Sequence, residues 1–214
     1  MSYSNLSSDK ALIWRITHRH NLPWVLKNGL QAANSATRTS DWKVIGSQAL
    51  IERRGGRIVP LEPNGVLNDY VPFYFTPFTP MMYNIHTGRG GVNHVANDDV
   101  VILVSSLYRI VELGLSFVFT DRHAYLPMAN YYSSLQNLPQ VDWHLLQQRN
   151  FQRNPDDPAA IERYQAEALI YNQVPIEGLL GGICYSEQVQ AELQEQADFL
   201  ETQLQFYCRP NWYF

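Results

Sequence analysis

A chain of 214 residues, 45% hydrophobic and 17% charged, is large enough to bury a sizeable core and too apolar to be disordered; one domain over 1–214 is expected. The start has no charged n-region before an apolar run, and no stretch is apolar for the length of a bilayer span. Cys184 and Cys208 lack metal-ligand spacing, so free thiols, no metal and a cytoplasmic location are expected. The net charge of -4 is unevenly spread: residues 1–57 hold nine Lys and Arg against Asp9, Asp41 and Glu52, a balance of +6, whereas residues 58–214 stand at -10. A locally basic surface on an acidic molecule is compatible with that pattern.

Residues 11–17 form an apolar first strand, ending at His18-Arg19-His20. A short helix follows, with Asn21 as N-cap, Pro23 in the first turn and Gly29 as the left-handed stop. Residues 31–49 are polar and aperiodic, a surface loop over or beside a site. The run Arg53-Arg54-Gly55-Gly56-Arg57 offers a backbone able to approach an anion. Tyr70–Pro77 is an aromatic strand whose prolines favour an edge, and Thr79-Pro80 starts a helical turn. Val100–Val104 is continuously apolar, a central strand buried on both faces. Phe117–Asp121 is another strand, followed by a long connection from 124 to 161 broken by four prolines. Ser186 caps a helix over about 186–204, with Val189, Leu193, Ala197, Leu200 and Leu204 at helical spacing; Gln205–Cys208 adds a last strand.

The stretch Arg163–Tyr171 reads as a strand in which Gln165, Glu167, Leu169 and Tyr171 share one face. A carboxylate there is either an edge residue pointing into water or a costly buried group with a use. No P-loop, GxGxxG, GxSxG or HExxH accompanies it, and the six histidines are scattered.

Thr17-His18 with Asn21-Leu22-Pro23 and Asn28-Gly29-Leu30 resembles the opening motif of the DarT family, DNA ADP-ribosyltransferase toxins of bacterial toxin–antitoxin systems. The resemblance continues through Asp69–Phe75, Pro80–Tyr83, Phe119–Ala124, Val141-Asp142-Trp143 and Tyr164–Leu169, about residues 12 to 185 in all. It implies an α+β fold: an ADP-ribosyltransferase-like split, twisted β core with peripheral helices and long loops, holding NAD+ in a cleft. It implies further that Glu167 is the catalytic glutamate, that His18 anchors the adenosine-side ribose with Asn21 shaping the same pocket, and that Arg54 or Arg53 grips the phosphates. Tyr74 and Tyr83 would wall in the nicotinamide.

The residue types suit that chemistry. Loss of nicotinamide leaves positive charge on the ribose, which a carboxylate on the 2′-hydroxyl stabilises, and arginine grips a diphosphate through planar contacts. The acceptor base must be unstacked, so single-stranded DNA is the expected partner. Arg89, Arg122, His123, Arg149, Arg153 and Gln165 are its candidate contacts, Gln165 because it would share a strand face with Glu167. Phe78 stands where many family members carry arginine, which leans toward guanine rather than thymine as the acceptor. A macrodomain antitoxin is the expected protein partner. The alternatives are an RNA or protein acceptor on the same fold, and a non-catalytic nucleic-acid-binding module.

Overall fold

The computed structural model describes residues 5–214, and eight of its ten strands gather into one large sheet. In chain order the strands are β1 (Leu12–His18), β2 (Leu30–Gln31), β3 (Tyr70–Tyr74), β4 (Val100–Ser106), β5 (Phe117–Thr120), β6 (Tyr131–Tyr132), β7 (Glu167–Tyr171), β8 (Gln173–Val174), β9 (Gly181–Cys184) and β10 (Phe206–Cys208). The helices are α1 (Leu22–Asn28), α2 (Gln48–Arg54), α3 (Pro80–Thr87), α4 (Leu107–Glu112), α5 (Trp143–Gln147), α6 (Ala160–Arg163) and α7 (Glu187–Phe199). Eight strands pair in the order β10-β9-β4-β1-β3-β7-β5-β6, and β2 pairs with β8 as a separate ribbon. This is the α+β architecture expected, with helices and long loops around a sheet.

The apolar run in β4 is central, flanked by β9 and β1, and its first four residues are buried. β1 is paired to β4 along its whole length, from Leu12 opposite Ser106 to His18 opposite Val100. β3 is paired to β7 just as fully, from Tyr70 opposite Tyr171 to Tyr74 opposite Glu167. Between these two halves, β1 and β3 share a single register pair, Trp14 opposite Tyr74. The sheet therefore splits there. Pro72 supplies a reason, since it has no N–H to donate, and its carbonyl accepts instead from the Arg15 guanidinium at 2.8 Å. β3 is thus interior rather than the edge its prolines suggested. A proline is tolerated because the neighbour on one side has already diverged.

Two helices differ from their sequence reading. Asn21 precedes α1, but its side chain makes no cap; the helix is started by Pro23 and stopped by Gly29 at φ 71. A Cβ at Gly29 would lie 2.4 Å from the Val174 carbonyl oxygen, so that close approach needs glycine. α7 is capped by Ser186 and buries Val189, Leu193 and Ala197, but it ends at Phe199 rather than 204. Glu201 turns left-handed at φ 54, and both the amide and hydroxyl of Thr202 return to the Ala197 carbonyl, at 3.0 and 3.2 Å. Leu204 is still buried, on the connection into β10.

Candidate active site

Glu167 opens β7, a strand with β3 on one side and β5 on the other, and is 1% exposed. It is not an edge carboxylate in water. The Arg54 guanidinium, at the end of α2, donates through Nη1 to both carboxylate oxygens, at 2.9 and 3.2 Å. The Ala124 N–H donates to Oε1 at 2.9 Å, and His123 Nδ1 lies 3.3 Å from the same oxygen. That nitrogen also accepts the Tyr125 N–H at 3.2 Å, which fixes the ring against the carboxylate. Beneath them the Thr120 hydroxyl accepts the Glu167 N–H at 3.2 Å and donates to the Arg122 carbonyl at 2.6 Å. Asp121 accepts the Asn130 N–H and side-chain amide, closing the loop that carries Ala124. A buried charge is tolerable here because it is paired from α2 and hydrogen-bonded from the turn that carries Ala124.

α2 reaches this point because Ser47 accepts the Leu50 N–H as N-cap and Asn68 donates to the Ile51 carbonyl at 2.9 Å. The Gly55-Gly56 pair is a turn leaving that helix, with Gly55 at φ -61 and packed on Asn68, rather than an anion-binding backbone. The cation on Glu167 is the Arg54 side chain. Arg53 is exposed and stands outside it, because successive residues on a helix face different ways.

A cleft of about 150 Å³ opens where β1 and β3 diverge, and Glu167 lies on its wall. Arg15, Ile16 and Thr17 of β1, Tyr70, Pro72 and Tyr74 of β3, Arg54 of α2, and Arg38 and residues 42–47 of the preceding loop are among its lining. Parts of the polar loop read from residues 31–49 line this cleft. Burial and then the charge of Glu167 hold the Tyr74 hydroxyl well above its ordinary pKa, so Tyr74 stays a neutral donor, bonded to Met81 Sδ at 3.7 Å. A wider groove of about 870 Å³, past Lys27, Arg109, Glu177 and Glu201, shares no lining residue with the cleft and mixes both signs of charge.

The other sequence candidates are spread out. His18 is 6% exposed at the end of β1, its Nδ1 accepting the His20 N–H at 3.0 Å; it faces a shallow hollow with Asp99 and Glu192, next to Thr17 on the cleft wall. Burial first, and then Lys43, lower the His18 pKa below its ordinary value. Asn21 shapes the cleft from behind: its amide donates to the Lys43 carbonyl at 2.9 Å and accepts the Lys43 N–H at 2.8 Å, holding the loop like one rung of a sheet. Tyr83 does not line the cleft; it packs on Phe151 and Phe214 and accepts from Arg89 at 3.3 Å. Arg149 lies over the Phe78 ring, 3.1 Å from its centroid, and Arg153 is exposed nearby in sequence. Arg122 is half-buried between Asp121 and Glu162.

Gln165 does not share a strand face with Glu167. Residues Ala160–Arg163 form the short helix α6, and Gln165 sits in the turn before β7, donating to the Ile161 carbonyl at 2.9 Å. Arg163 fixes that turn by pairing with Asp142 and Asp157, partners far enough upstream to be invisible to strand periodicity. Arg15, Arg38, Lys43 and the Ala124 amide were missed. For Arg15 a signal existed: a lone arginine inside the apolar strand Leu12–His18, the same anomaly that marked Glu167.

A family model described as "ssDNA thymidine ADP-ribosyltransferase, DarT" matches residues 14–214. The chain belongs to the DarT family. It is 51% identical to a DNA ADP-ribosyl transferase of Escherichia coli O127:H6, over 99% of this chain and 97% of that protein. The solved structure of Thermus sp. 2.9 DarT in complex with ADP-ribosylated ssDNA superposes with a TM-score of 0.89 at 32% identity, covering all of both chains. The same Thermus protein in complex with NAD+ gives a TM-score of 0.80 at 32% identity, covering 96% of this chain and 98% of that one. This DarT-family chain is therefore an ADP-ribosyltransferase by family, and the split between β1 and β3 is the split β core expected of it.

Proposed function

We propose that this enzyme transfers ADP-ribose from NAD+ to a thymine base in single-stranded DNA, releasing nicotinamide, and that it acts as a toxin countered by a macrodomain antitoxin. The observation that carries the reading is Glu167: a carboxylate 1% exposed, held by Arg54 and the Ala124 amide at the wall of a cleft whose other charged lining residues are all cations. That lining suits NAD+, whose diphosphate is anionic. Glu167 takes the 2′-hydroxyl of the nicotinamide-side ribose and opposes the positive charge that develops as the glycosidic bond breaks. Arg54 aims the carboxylate through its two Nη1 hydrogen bonds. Tyr74, opposite Glu167 in register, offers its hydroxyl to the same sugar or to the nicotinamide. Asn21 works through the loop, and His18 supports the end of β1 from behind it.

On the acceptor side, His123 and Arg122 flank the carboxylate on the 121–126 turn and are the first DNA contacts we assign. Arg89 over the Tyr83 ring and Arg149 over the Phe78 ring, with Phe151 packed on Tyr83, fit an outer path with basic and aromatic groups interleaved, and exposed Arg153 would extend it. Gln165 stays a rim residue. The lean toward guanine rested on Phe78, which is 1% exposed, lies under Arg149 and lines no part of the cleft. With that basis removed, thymine, the base in the family's description, is the better reading. The test is incubation with labelled NAD+ and separate pools of poly-thymine-containing and poly-guanine-containing single strands, duplex DNA, RNA and protein. Label on thymine-containing single strands is expected. Label on guanine alone would reinstate the other acceptor, and label on RNA or protein alone would refute the DNA reading.

A further inference from the structure

The cleft holds more positive charge than its carboxylate needs. Arg15, Arg38, Lys43 and Arg54 line it, and Glu167 is its single acidic residue among those described. Glu167 is already matched, because Arg54 Nη1 sits 2.9 Å from Oε2. The remaining cations have no such partner within the cleft. Arg15 is anchored by one bond, Nη1 to the Pro72 carbonyl at 2.8 Å, while its buried Nε has no acceptor. Burial, then the charges of Arg38 and Arg54, lower Arg15 to about 10. Arg38 is held over Trp42 at 4.7 Å, and Trp42 stands edge-on to Trp24 of α1 at 6.1 Å. Guanidiniums assembled out of water repel one another unless an anion shares the space.

We propose that Arg15, assisted by Arg38, is a diphosphate-recognition group of this enzyme on the far side of the cleft from Arg54, whose Nη1 holds the carboxylate while its buried Nη2 is likewise without an acceptor. The proposal rests on reading the cleft as a dinucleotide site. It assigns the two cationic ends of the cleft to different parts of one ligand. Arg54 lies with Glu167, where the reacting ribose must be, and Arg15 lies across the split on β1, where a phosphate oxygen completes its unbonded Nε–H. Arg53, exposed and outside the lining, takes no part.

Titration calorimetry of the full chain with ADP-ribose and with inorganic pyrophosphate, at two salt concentrations, tests this in wild type, Arg15→Met and Arg15→Lys. Arg15→Met should weaken both ligands at least tenfold and flatten the salt dependence of binding; Arg15→Lys, which keeps the charge but not the fork, should fall between. Equal affinity in wild type and Arg15→Met would overturn the proposal. So would a loss with unchanged salt dependence, because that is the mark of altered cleft shape. If Arg15→Met does not give the wild-type circular dichroism spectrum, Arg15→Lys decides alone, and wild-type affinity in it would refute the fork. Wild type that binds neither ligand would sink the dinucleotide reading itself, a result distinct from any of these.

Discussion

Replacing Glu167 separates the two jobs proposed for it, holding charge for catalysis and satisfying Arg54. In Glu167→Gln the amide oxygen can accept from Arg54 or from the Ala124 N–H, and the NH2 then meets the other donor, both within 2.9 Å of the present carboxylate. One donor–donor conflict costs ~1–3 kcal/mol. Glu167→Leu goes further and leaves Arg54, 8% exposed, without its anion. Breaking a buried pair by removing one partner costs ~3–5 kcal/mol, and the low end applies because Arg54 opens onto the cleft. At ~2–4 °C per kcal/mol for a chain of this size, about 3 kcal/mol lowers the melting temperature by ~6–12 °C. Arg54→Met/Glu167→Leu should recover much of that loss, since an apolar pair leaves no orphaned charge. None of the three should transfer ADP-ribose well: losing one preorganised electrostatic group costs ~10²–10³-fold in rate, and Glu167→Gln should lose at least that. Mass spectrometry of a thymine-containing oligonucleotide incubated with NAD+ gives the rate, and calorimetric melting gives the stability. Glu167→Gln transferring within tenfold of wild type would refute the catalytic assignment. Glu167→Leu melting at the wild-type temperature would refute the energetics.

The remaining predictions concern the two groups behind the cleft. His18 is held neutral by burial, so its folded pKa lies below its unfolded value; its contribution is present above the unfolded value near 6.5 and lost as pH falls through the folded one. Melting curves between pH 7.5 and 5 should therefore fall less steeply in His18→Gln than in wild type, and parallel curves would count against it. Asn21→Ala removes both bonds to Lys43 and frees the 42–47 wall. Melting should drop by ~1–3 kcal/mol, and KM for NAD+ should rise several-fold with kcat less affected. An unchanged KM would mean the loop does not need its clamp.

The 3.6-residue spacing of Val189, Leu193 and Ala197, the Thr79-Pro80 start, the Gly29 stop and the apolar Val100–Val104 run were legible because each is a local rule obeyed locally. Where local rules misled, a distant partner had overridden them. Arg163 is drawn into a short helix by Asp142 and Asp157, so the strand begins four residues late and Gln165 loses its place beside Glu167. Pro72 reads as an edge signal, yet β3 is interior because β1 has swung away from it.

The sequence by itself determined that Glu167 was anomalous, that the first 57 residues were basic and that the spaced motifs resembled the DarT family, since all of these depend only on residue type and order. Tertiary structure alone decided which cations matter. Arg53 and Arg54 are equivalent on paper, but the helix turns one toward water and the other onto Glu167. Arg15 and Arg38 are far from Glu167 in the chain, and the split between β1 and β3 brings all three to one cleft. Charge acts through space, with an energy set by distance and burial, and neither can be read from position along a chain.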